Sequence, residues 1–172
     1  IFTIYFGEIE NLQVDKKVPR DFVKKTDTRV VETLIDELTK SKKNYSFLTE
    51  ESGKIINNDK DKRWIIDPID GTTNFLHGIP HFAISIALEI DNEIKSALIH
   101  DPIKNEMFFA EKNNGAFFNN HRVRVSNKSD IEDCLFSSDQ HGLKFIYPSL
   151  NMRSTGCSAL DLAYVGSGRL DG

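Results

Sequence analysis

The segment from Trp64 to His77, WIIDPIDGTTNFLH, constrains the fold of this chain more than any other part of it. Its apolar start, Trp64 to Ile66, predicts a buried strand that ends at Asp67. Proline cannot donate a hydrogen bond to a sheet, so we expect the chain to turn at Pro68. The carboxylates of Asp67 and Asp70 would then lie together at the carboxyl end of a strand.

The residues after these acids could bind an anion. Gly71 allows the backbone to approach a ligand closely. If Thr72 to His77 open a short helix, the amide groups of Gly71 and Thr72 form an anion site beside the acids. Magnesium prefers oxygen ligands and binds through a few carboxylates together with the phosphate oxygens of a substrate. The pattern is therefore typical of a metal-dependent phosphatase.

Several blocks of the chain resemble one known family. Residues 64 to 77 are similar to the first signature of the inositol monophosphatase superfamily, and SFLTEESG at 46 to 53 is similar to its Glu-Glu-Ser metal-binding segment. The blocks DFVKKTD, HDPIKNEMFFAEKNNGAF and RSTGCSALDLAYVGSGRLDG fit the same family in the same order. The resemblance covers nearly the whole chain.

The resemblance implies a set of metal ligands and catalytic residues. By position, Glu50, Asp67, Asp70 and the backbone carbonyl of Ile69 would hold two or three magnesium ions. Thr72, together with Glu50, would orient the attacking water. The implied catalytic residues are thus Glu50, Asp70 and Thr72.

The same resemblance implies a substrate pocket and two supporting acids. Asp27 and Glu51 would hydrogen-bond the waters around the metal, although Asp27 could be a simple helix cap and Glu51 a solvated surface acid. Cys157 and Ser158 could also be no more than the start of a helix. The residues implied to contact substrate are Asp70, Gly71, Thr72, Gly156, Cys157 and Ser158.

The order of predicted elements favours an α+β architecture, because helices, consecutive antiparallel strands and a final helix follow one another without βαβ alternation. Thr26 or Asp27 would cap the first helix, Asp91 and Asn92 would form a hairpin turn, and Ser158 would cap the last helix. The predicted elements are a helix over Thr26 to Lys40, a strand over Tyr45 to Thr49, an exposed loop over Gly53 to Lys62, strands over His81 to Ile90, Glu93 to His100, Glu106 to Glu111, Ala116 to Asn119 and Val123 to Ser126, and a helix from Ser158 to Val165.

By resemblance, the complete fold is a layered αβαβα sandwich. Residues 1 to 125 would form the half that carries the metal site, and residues 126 to 172 the start of an incomplete second half. Family members continue into a Trp-Asp-x-Ala-Ala-Gly segment whose Asp is a further metal ligand. We therefore expect the chain to be a fragment with impaired activity.

Composition limits the cellular setting and the partners. The chain has 39% hydrophobic and 28% charged residues, which is typical of a globular protein. Its net charge of -4 gives no electrostatic footprint for nucleic acid, so we expect no nucleic-acid partner. No apolar run is long enough for a membrane span, and we expect a cytoplasmic protein. Cys134 and Cys157 lack metal-type spacing, which indicates reduced thiols. The resemblance implies a homodimer when the protein is full length.

Two functions fit the sequence. The first is a magnesium-dependent phosphomonoesterase that uses metal-activated water to hydrolyse inositol 1-phosphate or a related small sugar-alcohol phosphate. By resemblance, lithium would inhibit it. The alternative is a noncatalytic remnant or an interaction protein, because some bacterial relatives of the SuhB type bind transcription machinery.

Overall fold

The computed structural model describes residues 20–50, 53–55, 59–138 and 150–172. These residues form helices and strands around one large sheet. The helices are α1 (Arg20–Ser41), α2 (Thr72–Leu76) and α3 (Ser158–Gly166), with a 3-10 turn at Ile131–Asp133; the strands are β1 (Tyr45–Thr49), β2 (Gly53–Ile55), β3 (Asp59–Asp70), β4 (Ala83–Ile90), β5 (Glu93–Asp101), β6 (Glu106–Glu111), β7 (Gly115–Phe118), β8 (His121–Val123), β9 (Leu135–Ser137) and β10 (Asn151–Arg153).

The large sheet has the strand order β2-β1-β3-β4-β5-β6-β7-β8. Strand β1 runs parallel to β3, whereas each strand from β3 to β8 pairs antiparallel with the next. Strands β9 and β10 form a separate parallel pair. The expected α+β class, with a central sheet and flanking helices, is confirmed.

Helices lie on both faces of the large sheet. Val30 of α1 packs in one apolar cluster with Ile69, Phe75 and Phe82. Leu160 of α3 packs in a second cluster, which contains Ala83, Phe108, Cys157 and Ala163. Ala83 belongs to the second cluster and its neighbour Ile84 contacts the first, so the two clusters lie on opposite faces of β4.

The structure corrects the expected turn at Pro68. Strand β3 continues through Pro68 to Asp70, and its pairing with β4 shifts register between Asp67 and Asp70. The parallel neighbour β1 reaches only to Thr49, which pairs with Ile66, so the missing amide of Pro68 costs no ladder bond on that side. A bulge therefore replaces the turn, and the two acids stay at a strand's carboxyl end.

Other helix and strand boundaries also differ from those predicted. Thr26 and Asp27 lie inside α1 and are buried at 1% and 5% exposure, so neither caps a helix that begins at Arg20. The predicted loop over Gly53 to Lys62 contains β2 and the start of β3 instead. Ser158 is the first residue of α3 and Cys157 is its N-cap, with no side-chain capping bond. Strand β8 spans His121–Val123, earlier than predicted.

Both cysteines are buried free thiols, as expected from their spacing. Among the described residues, none of the helices combines the length and apolar character that crossing a bilayer requires.

Candidate metal and phosphate site

The bulge at the end of β3 arranges the backbone around the two aspartates. The amide of Ile69 donates to Oδ1 of Asp67 at 3.1 Å, and the hydroxyl of Thr72 donates to the carbonyl oxygen of Ile69 at 2.9 Å. Gly71 has a φ of 90°, a left-handed conformation that favours glycine, and it serves as the N-cap of α2. The predicted short helix after the acids is thus present, and Thr72 contacts the carbonyl predicted to bind metal.

Glu50 lies beside Asp67 because of the parallel pairing of β1 and β3. Thr49 of β1 pairs with Ile66 of β3. The residues that follow them, Glu50 and Asp67, therefore lie at the same end of the two strands. The amide of Glu50 also donates to the carbonyl oxygen of Ile66 at 3.4 Å. Two of the predicted metal ligands therefore come from adjacent strands.

The electrostatics of Asp67 reflect this crowding. Burial, followed by the charges of Glu50 and Asp70, raises the pKa of Asp67 to about 7. A hydrogen bond between the side chains of Asp67 and Glu50 contributes in the same direction. Carboxylates that repel each other in this way are stabilised by a bound cation.

The Asp70 carboxylate is directed toward the start of α3. Its Oδ2 accepts hydrogen bonds from the amide of Ala159 at 2.5 Å, the hydroxyl of Ser158 at 3.3 Å and the thiol of Cys157 at 3.2 Å. Burial raises the pKa of the Cys157 thiol, which keeps it protonated as a donor. Cys157 and Ser158, two of the three predicted substrate residues after β10, thus contact a predicted metal ligand.

Gly71 and Gly156 allow the start of α2 and the segment before α3 to pack closely together. A Cβ atom built on Gly71 would lie 3.2 Å from the carbonyl oxygen of Gly156 and 3.2 Å from the Cβ of Cys157. Gly156 has a φ of 77°, so glycine suits this position as well. The structure therefore brings together Glu50, Asp67, Ile69, Asp70, Gly71, Thr72, Gly156, Cys157 and Ser158.

The roles predicted for Asp27 and Glu51 beside the metal waters both stay predictions. Asp27 is buried on α1, which packs against β1 and β3. Glu51 lies outside the described residues, so its predicted role stays a prediction. Across residues 20–50, 53–55, 59–138 and 150–172, no three His, Cys, Asp or Glu side chains are arranged to hold a metal ion by themselves.

No role was predicted from the sequence for Asn74 and Thr155, which the structure connects. Asn74 of α2 is buried at 8% exposure, and its amide donates to the carbonyl oxygen of Thr155 at 2.8 Å. The available signal in the sequence was an amide side chain next to Phe75 in the predicted short helix, because an amide that becomes buried there needs hydrogen-bond partners. The identity of its partner, 81 residues away, could not be predicted from the sequence.

Comparison with known proteins decides the family. The model of the inositol monophosphatase family matches residues 2–172 of this chain. The chain belongs to the inositol monophosphatase family. Among curated proteins, it is 42% identical over 180 aligned positions to an inositol-1-monophosphatase of Rhizobium meliloti, covering 97% of this chain and 68% of that protein.

Two further similarities extend this family assignment. The chain is 37% identical over 174 aligned positions to Nus factor SuhB of Escherichia coli K12, covering 94% of this chain and 65% of that protein. The crystal structure of extragenic suppressor protein SuhB from Bartonella henselae matches with a TM-score of 0.85 and 40% identity, covering 98% of this chain and 68% of that one. The inositol monophosphatase fold of this chain agrees with these matches.

The residues of this inositol monophosphatase family member suit a hard divalent cation. Glu50 and Asp67 would supply carboxylate oxygens, and the carbonyl of Ile69, which accepts the hydroxyl of Thr72, would supply a neutral oxygen. The raised pKa of Asp67 reflects burial first and then the negative charges of Glu50 and Asp70 at this end of the sheet. Magnesium prefers oxygen ligands and needs few of them from the protein, because it retains several waters.

Proposed function

We propose that this protein is a magnesium-dependent phosphomonoesterase that hydrolyses inositol 1-phosphate or a related small sugar-alcohol phosphate. The observation that carries the proposal is the crowding of Glu50 and Asp67, near Asp70, beside the first residues of α2. The 42% identical relative is named an inositol-1-monophosphatase, which supports the substrate class. We also propose, from the family resemblance, that the protein acts as a homodimer in the cytoplasm.

Each residue of the site has a distinct role in the proposed reaction. Glu50, Asp67, Asp70 and the carbonyl of Ile69 would hold magnesium, which supplies positive charge and lowers the pKa of water. Glu50 and Thr72 orient the attacking water, and the hydroxyl of Thr72 is already fixed by its bond to the carbonyl of Ile69.

The backbone at the start of α2 would bind the phosphate. Amide groups in the first turn of a helix lack partners within that helix, so those of Gly71 and Thr72 can donate to a phosphate oxygen. Fixed donors of this kind stabilise the charge that develops during phosphoryl transfer. Asp70 and residues Gly156 to Ser158 would contact the alcohol part of the substrate.

Phosphate release from inositol 1-phosphate tests this proposal. We expect turnover that depends on magnesium, that is lost when the metal is chelated and that returns when magnesium is restored. By family resemblance, lithium in the tens of millimolar should inhibit it. Turnover that is unaffected by chelation would contradict the metal-dependent mechanism, and turnover unaffected by lithium would contradict this branch of the family.

A second candidate function is supported by the 37% identical Nus factor SuhB. In this case the protein would be a noncatalytic interaction protein that binds transcription machinery. The same assay separates the two candidates. Turnover that is lost in Asp70→Asn supports the phosphatase, whereas absence of turnover together with specific binding to transcription proteins, tested with purified components, supports the second candidate.

A further inference from the structure

Thr155 lies between β10 and α3, and α2 contacts it through a buried side chain. The Nδ2 of Asn74 donates to the carbonyl oxygen of Thr155 and to that of His81, both at 2.8 Å. One amide group thus joins the segment before β4 to the segment before α3. A Cβ atom on Gly156 would lie 3.1 Å from the Asn74 side chain, so the packing on this side is tight.

The hydroxyl of Thr155 has different partners from its carbonyl oxygen. It donates to Oδ1 of Asp161 at 2.7 Å and accepts the amide of Cys157 at 3.3 Å. Oδ2 of Asp161 accepts the hydroxyl of Ser137, on β9, at 2.6 Å. Asp161 therefore connects Thr155 to both α3 and the small sheet.

These bonds lie immediately before the start of α3. Thr155 precedes Cys157, Ser158 and Ala159, whose thiol, hydroxyl and amide contact Asp70. A shift of Thr155 would move these three donors relative to the carboxylate. Asn74 and Asp161 do not themselves touch Asp70 in these hydrogen bonds, so any effect on it passes through Thr155.

We propose that Asn74 and Asp161 are positioning residues that hold Thr155 from two sides and thereby fix the start of α3 against Asp70. The first consequence, an ordered backbone at the start of α3, depends only on the hydrogen bonds described above. The effect on substrate binding rests on the proposed function. The two consequences can be measured separately.

Four variants test the proposal in the intact chain. Asn74→Asp keeps the size of the side chain but replaces the donating amide with a carboxylate that faces two carbonyl oxygens. Thr155→Val removes the hydroxyl, and Thr155→Ser retains it as the conservative rescue. The matched control is Asn119→Asp, because Asn119 also binds the backbone, accepting the amide of Met107 at 2.8 Å, but lies between β7 and β8.

Amide hydrogen exchange, detected by NMR, measures the local order without any need for activity. In Asn74→Asp we expect the amides of Cys157 and Ala159 to exchange at least about tenfold faster than in the wild type. In Thr155→Val we expect the same for Ala159. Thr155→Ser and Asn119→Asp should leave both rates within about twofold. Unchanged exchange at Ala159 in both Asn74→Asp and Thr155→Val would overturn the proposal.

Steady-state kinetics with inositol 1-phosphate and magnesium measure the effect on the substrate. We expect KM to rise about tenfold in Asn74→Asp and Thr155→Val, with a smaller fall in kcat, and near wild-type values in Thr155→Ser. If the wild type shows no turnover but the exchange rates change as expected, the proposed function fails and the positioning role stands. If the wild type turns over and neither KM nor exchange changes, the positioning role fails alone.

Discussion

Two carboxylate sites of this protein differ in how their negative charge is balanced. On β6, the Glu106 carboxylate accepts hydrogen bonds from both terminal nitrogens of Arg169, at 2.7 Å and 2.8 Å. The Arg169 guanidinium also lies 4.5 Å from the centre of the Phe118 ring and 5.0 Å from that of Tyr164. At the end of β3, in contrast, Asp67 lies beside another acid, Glu50, and its pKa is raised to about 7.

The comparison separates a structural acid from acids arranged for a ligand. Asp101 follows the pattern of Glu106: it is fully buried, accepts the amides of Ile103 and Lys104 at 2.9 Å each, and pairs with the Lys104 ammonium. Within the described part of the chain, the ion pairs with lysine or arginine do not include Glu50, Asp67 or Asp70. Among the described residues, lysine and arginine therefore do not balance the charge of Glu50, Asp67 and Asp70, here called the β3 cluster, and this favours the proposed cation.

The largest expected effect comes from removing one charge of the β3 cluster. Asp70→Asn should lower turnover of inositol 1-phosphate by at least about a hundredfold, because a metal ligand and its charge are lost. Asp130→Asn is the matched control, since that exposed side chain forms no capping bond. Asp70→Asn turnover within a factor of three of the wild type would contradict the assignment.

Loss of the ion pair between Glu106 and Arg169 should lower stability and not turnover. Glu106→Gln leaves Arg169 without a charged partner, and we expect a loss of about 1–3 kcal/mol in the free energy of unfolding. The control is Glu93→Gln, because Glu93 pairs with Lys95 and Lys112 at a more exposed site and should cost less than about 1 kcal/mol. Denaturant unfolding of both variants measures the difference, and equal losses would remove the distinction between the two sites.

The β3 cluster should make the metal-free protein less stable as the pH rises. The pKa of Asp67 is raised from 3.8 to about 7 on folding, so the folded state binds the proton more tightly. Its contribution is fully present below about pH 4 and is lost as the pH rises through about 7.

Asp67→Asn should remove that pH dependence, an effect on the order of 1–2 kcal/mol once screening by nearby water is allowed for. Urea unfolding of wild type and variant, in chelator and from pH 4 to 8, measures it. Asp130→Asn should keep the wild-type slope. A wild-type slope that persists in Asp67→Asn would show that other groups cause it.

Local chemistry explains why part of the fold could be predicted from the sequence. The bounds of β1 and β6 were predicted correctly. Tyr45, Phe47 and Thr49 favour a strand in β1, and Phe108 and Phe109 do so at the centre of β6. The hairpin between β4 and β5 was confirmed as well: Asp91 and Asn92 have φ values of 54° and 58°, a conformation that these residue types tolerate.

Contacts between distant parts of the chain explain the rest. The expected turn at Pro68 was wrong because the end of β1, a separate segment, decides whether proline can stay in β3. The direction of the Asp70 carboxylate depends on Ala159, 89 residues later. The family resemblance thus predicted residues that the structure brings together at the end of β3, whereas the hydrogen bonds that orient them needed the structure.

Magnesium binding tests the central claim most directly, because the claim is that the acids at the end of β3 require a cation. Calorimetric titration with magnesium at pH 8 should show binding to the wild type, binding weakened at least about tenfold in Asp67→Asn, and unchanged binding in Glu106→Gln. Magnesium should also raise the unfolding temperature of the wild type more than that of Asp67→Asn. Equal magnesium affinity in the wild type and Asp67→Asn, or none in the wild type, would contradict the account.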